Sequence, residues 1–134
     1  MSTFALCLLL LASWALAEQQ DLVGKWDFEG NLADDSPLAL VAGGVAPVWA
    51  EGREGQALGP VERALEVPSC PELELAPGLV IDCWVYFEEF TGFHTWIVQK
   101  PDEYQLRLDP ESEGGRFSFF VMVGGWEARA SVAR

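Results

Sequence analysis

Apolar and polar residues alternate in short runs after the first 21 residues, and glycine, proline or aspartate interrupts these runs every eight to twelve positions. Alternation with a period of two places successive side chains on opposite faces of a strand, and the breaks supply turns. The pattern predicts an all-β fold, an antiparallel β-sandwich of two sheets. The predicted strands are Val23–Phe28, Leu38–Val41, Val45–Trp49, Ala64–Val67, Leu79–Phe87, Thr95–Lys100, Glu103–Leu108, Arg116–Val123 and Trp126–Val132.

The C-terminal runs carry the clearest strand pattern. In Tyr104–Leu108 the apolar side chains are expected to face a core, while Gln105 and Arg107 face water. Gly124-Gly125 is typical of a two-residue hairpin loop, and Lys100-Pro101-Asp102 is typical of a second turn. These signals predict a run of strands joined by tight turns.

The N-terminus has the pattern of a secretory signal peptide over residues 1–17. An apolar run, Phe4–Leu11, precedes the small residues of Ala15-Leu16-Ala17, although no lysine or arginine stands before the run. The run is shorter than the roughly 20 residues that a membrane-spanning helix needs. We therefore expect a mature chain of residues 18–134 that is secreted, periplasmic or held at the cell surface, without membrane insertion after signal removal.

The net charge limits the classes of molecule that this chain is expected to bind, and the cysteine content indicates a possible disulfide. The net charge of −13 disfavours nucleic acid and anionic lipid, and it suits cations or a neutral partner such as a glycan. After loss of Cys7 with the signal, Cys70 and Cys83 remain as an even pair in an oxidising compartment. A disulfide between Cys70 and Cys83 is the favoured prediction, and two buried free thiols are the alternative.

An ordered set of short motifs resembles the laminin-G-like jelly rolls of the concanavalin A-like lectin/glucanase superfamily. The set spans roughly residues 22–123 and comprises LVGKWDFEG (22–30), DDSP (34–37), WAEGREGQAL (49–58), ALEVP (64–68), CPELEL (70–75) and VIDCWV (80–85). The resemblance implies a jelly-roll sandwich with Trp26, Phe28, Trp84 and Phe119 in its core. It also implies a binding or adhesive role toward an extracellular glycan or protein.

The chain departs from the family pattern in two places. Gly59–Arg63 replaces the usual apolar residue followed by Asp-Gly, so the turn there is altered. Family domains also continue beyond the last strand seen here, so the resemblance implies a C-terminally incomplete sandwich, part of a longer chain or a truncated product.

Polar and acidic residues that follow the first predicted strand are candidate ligands for a metal ion. Asn31, Asp34 and Asp35 offer oxygen ligands of the kind that Ca²⁺ prefers, and calcium is therefore the one candidate cofactor. The alternative is ordinary turn chemistry, because Asp and Ser side chains cap their own backbone. Asp27 and Glu29 are expected on the solvated face of the first strand.

Two further groups bear on function. Glu72-Leu73-Glu74 resembles only part of the E-x-D-x-E strand of laminarinase-type hydrolases, because leucine replaces the middle acid, so we expect no catalysis there.

His94, Trp96 and Trp126 are candidate contacts for sugar rings, with rim packing as the alternative. The sequence thus predicts a non-catalytic binding module; a structural accessory domain of a larger cell-surface protein and a degenerate hydrolase are the other interpretations.

Overall fold

The structure is a computed structural model that describes residues 21–61, 63–74, 78–124 and 126–132. The predicted signal peptide, residues 1–17, lies outside the described residues. The chain divides into two compact units, with the boundary between Leu73 and Glu74. Over the described ranges the regular structure is strands in two antiparallel sheets with two short 3-10 turns, so the all-β class is confirmed.

The first unit contains one small sheet. Strands β1 (Trp49–Glu51) and β2 (Gln56–Leu58) form a hairpin, and the Gly52 N–H donates to the Gly55 carbonyl at 3.0 Å across its loop. A 3-10 turn, Pro71–Leu73, closes the unit. Loops held by hydrogen bonds make up most of the rest of its described residues.

The second unit contains a four-stranded meander whose strands pair in chain order. Strands β3 (Thr95–Lys100), β4 (Tyr104–Leu108), β5 (Phe117–Val123) and β6 (Trp126–Val132) are antiparallel throughout. The sequence predicted all four to within one residue at each end. The three connections are three, eight and two residues long, so every pairing is local in sequence, which favours fast folding.

Both predicted turns of this meander are present. Val123 pairs with Trp126, so a two-residue loop joins β5 to β6, and Gly124 adopts a φ of 57°. The Glu103 N–H donates to the Lys100 carbonyl at 3.2 Å, and Asp102 adopts a φ of 62°. Asn and Asp tolerate this left-handed region better than most residues, which explains aspartate at the turn.

The core of the second unit lies along β4 and β5. Tyr104, Leu108 and Phe120 are the buried hydrophobic residues among those the structure describes. Leu106 and Phe119 pair with each other and line a shallow apolar hollow together with Leu79–Ile81. The segment that precedes the sheet in the chain therefore lies beside this row at Leu79–Ile81.

Several predicted strands are wrong. Leu38–Val41 and Leu79–Phe87 form no strand, Ala64–Val67 contributes a single bridge between Glu66 and Gly43, and the strand predicted over Val45–Trp49 begins only at Trp49. Trp84 was expected in the core, yet 79% of its surface is exposed. Apolar content alone does not make a strand, because each backbone group also needs a partner.

Val23–Phe28 is also not a strand. The Asp35 N–H donates to the Lys25 carbonyl at 2.8 Å, and the Ser36 hydroxyl donates to the Val23 carbonyl at 3.1 Å. Phe28 has a φ of 55°, which ends the extended conformation. Asp27 and Glu29 are exposed, in agreement with their predicted solvated positions.

No helix among the described residues has the length and apolar character required to cross a lipid bilayer.

Candidate functional site

A β-bulge in β3 sets the orientation of Trp96. Val98 pairs with Leu106, but Trp96 pairs with Arg107, so the register shifts by one residue between them. Had the pairing from the Lys100 turn continued unshifted, Trp96 would face Leu108, which is buried. A one-residue shift moves a side chain to the other face of a sheet, and bulges commonly redirect side chains in this way. The bulge therefore moves Trp96 from the row of Leu108 to the row of Arg107.

Trp96, His94 and Gln105 form a partly exposed surface, here called the Trp96 site. Trp96 is 52% exposed, and its indole Nε1–H donates to Gln105 Oε1 at 2.9 Å. The His94 and Trp96 rings lie 6.2 Å apart between centroids with an interplanar angle of 57°. This geometry presents an aromatic surface whose polar edge is already fixed by a neighbouring strand.

A polar cluster lies beside the Trp96 site and is centred on Arg107. The Arg107 Nε–H donates to Asp109 Oδ1 at 2.9 Å, and the guanidinium carbon lies 4.3 Å from the centroid of the Phe120 ring. Asp109 is fully buried and also accepts a hydrogen bond from the Ser118 hydroxyl. Ser118 in turn contacts Ser131 Oγ at 2.9 Å. Hydrogen bonds from Arg107 to one carboxylate oxygen and from Ser118 to the other offset the free-energy cost of burying Asp109.

His94 connects the two groups. Its Nε2 lies 3.0 Å from Glu113 Oε1, and the other Glu113 oxygen lies 3.9 Å from an Arg107 terminal nitrogen. Glu113 belongs to the 3-10 turn Glu111–Glu113, which Gly114 ends with a φ of 96°. The imidazole is thus held between an aromatic ring and an ion-pair network.

The structure does not bring Trp126 to this site. Trp126 pairs with Val123 at one end of β5, whereas Trp96 belongs to the row of Arg107 and Ser118 near the other end. Five residues along a strand correspond to about 17 Å. The side chain of Trp126 lies outside the described part of the chain, and its predicted ligand contact stays a prediction.

Asp34, predicted as a calcium ligand, is the centre of a hydrogen-bonded turn. Its Oδ1 accepts the backbone N–H groups of Lys25 and Ser36, both at 2.8 Å. Its Oδ2 accepts the Ser36 hydroxyl at 2.8 Å and the Leu40 N–H at 2.7 Å. Partial burial raises the pKa of Asp34, but the hydrogen bonds from Lys25, Ser36 and Leu40 outweigh it and the net pKa lies below its ordinary value. These contacts support the turn interpretation of Asp34.

The other two predicted calcium ligands also belong to turns. Asn31 Oδ1 accepts the Ala33 N–H at 2.8 Å, and its Nδ2 donates to the Glu29 carbonyl at 3.2 Å. Asp35 is exposed, and its backbone N–H bonds to Lys25 as described above. Calcium binding by this segment stays a prediction.

The predicted disulfide between Cys70 and Cys83 would join residues of the two different units, and it stays a prediction. Cys70 belongs to the first unit and Cys83 is an exposed residue of the second. Burial of the thiol, followed by the charge of Asp82, raises the pKa of Cys83. A raised pKa lowers the fraction of the thiol present as thiolate, the nucleophilic form.

Glu72 and Glu74, considered for hydrolase chemistry, lie at the end of the first unit and the start of the second. Glu72 is part of the 3-10 turn Pro71–Leu73, and both carboxylates are exposed. Over Pro71–Leu73 the segment therefore forms a turn and not a strand.

Sequence reasoning missed Gln105 of the Trp96 site and three residues beside that site, namely Arg107, Asp109 and Glu113. The alternation in β4 did assign Gln105 and Arg107 to one face, but only as solvated positions. No sequence signal identifies them, because the register set by the Lys100 turn would pair Trp96 with Leu108, and the bulge that brings Trp96 to Arg107 leaves the apolar pattern unbroken. Asp109 and Glu113 follow β4 in a loop, where alternation gives no information.

No protein-family model, curated protein or solved structure matches this chain.

Proposed function

We propose that this chain is a secreted, non-catalytic binding module that recognises neutral extracellular glycans through the Trp96 site. Its architecture in this proposal is the laminin-G-like β-sandwich that the sequence motifs resemble. The observation that carries the proposal is the bulge between Trp96 and Val98, which moves a large indole from the row of Leu108 to the row of Arg107, where Trp96 is 52% exposed. Exposing a tryptophan costs hydrophobic stabilisation. A bulge that leaves Trp96 partly exposed is therefore better explained by contact with a ligand.

The chemistry of the Trp96 site suits a sugar. Aromatic rings supply an apolar surface for the C–H face of a sugar ring, and tryptophan combines that surface with a polar edge. Amide, imidazole and carboxylate groups from Gln105, His94 and Glu113 supply hydrogen-bond donors and acceptors for hydroxyl groups. Because the chain carries a net charge of −13, neutral glycans are favoured over anionic ones.

A glycan array probed with the purified chain and with two tryptophan variants tests the proposal. Trp96→Ala is expected to lose binding to the neutral oligosaccharides that the unmodified chain retains. Trp84→Ala is the matched control, because Trp84 belongs to the same unit and is still more exposed, at 79%, but lies outside the Trp96 site.

Two results would contradict the proposal. The first is that the unmodified chain binds no oligosaccharide on the array, which would favour a structural accessory role. The second is that Trp96→Ala and Trp84→Ala bind as well as the unmodified chain, which would place any glycan contact elsewhere.

A further inference from the structure

Three side chains that bind metals in many proteins converge beside the Trp96 site. His94 precedes β3, Asp109 follows β4, and Glu113 belongs to the 3-10 turn. One donor atom from each lies within 4.8 Å of the donor atoms of the other two. The set combines an imidazole nitrogen with two carboxylate oxygens drawn from three separate elements of the fold.

The spacing is close to that of a tetrahedral site. Zinc binds imidazole nitrogen and carboxylate oxygen at 2.0–2.2 Å, which places neighbouring donors roughly 3.4 Å apart. His94 Nε2 and Glu113 Oε1 are already 3.0 Å apart. Because His94 and Glu113 are both partly exposed, their side chains are able to make the remaining adjustment of at most about 1.4 Å.

Asp109 is held as an oriented ligand. The Arg107 Nε–H bonds to one of its oxygens and the Ser118 hydroxyl bonds to the other. Hydrogen bonds to a ligating carboxylate from residues around it are typical of metal sites, where they fix the orientation of the ligand.

We propose that His94, Asp109 and Glu113 form a site for a divalent transition-metal ion of the Zn²⁺ class, with water completing the coordination. The imidazole favours such an ion over Ca²⁺, which prefers oxygen ligands. Two carboxylates outweigh the single positive charge of Arg107, so the local charge attracts a cation. The metal site is separate from the calcium loop predicted at Asn31–Asp35 and does not rest on the proposed glycan function.

Calorimetric titration of the chelator-treated chain with ZnCl₂ tests this site. We expect one Zn²⁺ per chain, with affinity lowered at least about tenfold by His94→Ala and by Glu113→Gln. Glu111→Gln is the matched control, because Glu111 is an exposed acid of the same 3-10 turn that is not in the ligand set. Trp96→Ala, which removes the proposed glycan contact, is expected to keep the Zn²⁺ affinity.

Three outcomes would overturn the site. They are the absence of saturable heat with the unmodified chain, equal affinities in His94→Ala and the unmodified chain, and an equal loss in Glu111→Gln and Glu113→Gln. A far-ultraviolet circular dichroism spectrum of each variant that matches the unmodified chain ensures that the loss arises from the ligand and not from unfolding.

Discussion

Polar and apolar residues alternate over Lys25–Phe28 in the first unit and over Tyr104–Leu108 in the second, yet only the second segment is a strand. Tyr104–Leu108 has a neighbouring strand on each side, reached through short connections. Val23–Phe28 has backbone partners in the turn that follows it, through Asp34, Asp35 and Ser36. Alternation therefore predicts which side chains share a face. Whether a sheet forms depends on which hydrogen-bond partners the backbone groups find.

The two units also use buried or partly buried carboxylates differently. Asp34 accepts hydrogen bonds from neutral backbone and hydroxyl groups, whereas Asp109 faces the guanidinium of Arg107. Removing a carboxylate from a turn leaves several donors without an acceptor. Removing one from a buried ion pair leaves a charge without its counterion, which costs more. This contrast gives a ranked set of tests.

The largest effect is expected for Asp109→Ala in the second unit. The Arg107 side chain is only 13% exposed and loses its buried partner, so we expect a loss of about 3–5 kcal/mol in the free energy of unfolding. Urea denaturation followed by tryptophan fluorescence measures it. Glu111→Ala, at an exposed position, serves as the control and is expected to change stability by less than about 0.5 kcal/mol. Equal losses in the two variants would contradict the account.

Asp34→Ala is expected to have the next largest effect. Four hydrogen bonds lose their acceptor, and we expect a loss of about 2–3 kcal/mol in the free energy of unfolding. Asp35→Ala is its control, since that side chain is exposed while the backbone bond to Lys25 remains. A chain that tolerates Asp34→Ala as well as Asp35→Ala would show that the turn does not replace strand pairing.

A smaller effect is expected on the pH dependence of stability. Folding lowers the pKa of Asp34 below its ordinary value of 3.8, so its ionised form contributes stability above that value, and the contribution is lost as the pH falls through the folded pKa. The difference in the free energy of unfolding between the unmodified chain and Asp34→Asn should therefore shrink as the pH falls from about 5 to about 3. A difference that stays constant or grows would contradict this assignment.

The smallest effect is expected at the β5–β6 loop. Gly124 has a φ of 57° and open space around the position of a side chain, so Gly124→Ala should cost about 1 kcal/mol through backbone strain alone. Gly43→Ala in the first unit, which also meets open space but lacks a positive φ, should be close to neutral. Thermal denaturation of both variants measures the difference. Equal melting temperatures would indicate that the loop does not need the left-handed conformation.

The sequence predicted β3 to β6 because alternation and turn residues agree there. It did not predict the bulge, because one inserted residue in the run from Thr95 to Lys100 leaves the apolar pattern unbroken. It also did not join His94 to Glu113, which lie 19 positions apart. The aromatic candidates of the Trp96 site were found from residue type, while their polar neighbours required the register of the strands.

The most direct test of the central claim, that the bulge presents Trp96 to a ligand, is nuclear magnetic resonance of the indole N–H groups. Trp96→Phe and Trp84→Phe assign the two resonances in ¹⁵N-labelled protein, which is then titrated with the neutral oligosaccharide that binds most strongly on the array. The account predicts a saturable shift of the Trp96 indole resonance, with the Trp84 resonance unchanged. A saturable shift of Trp84 with Trp96 unaffected would contradict it.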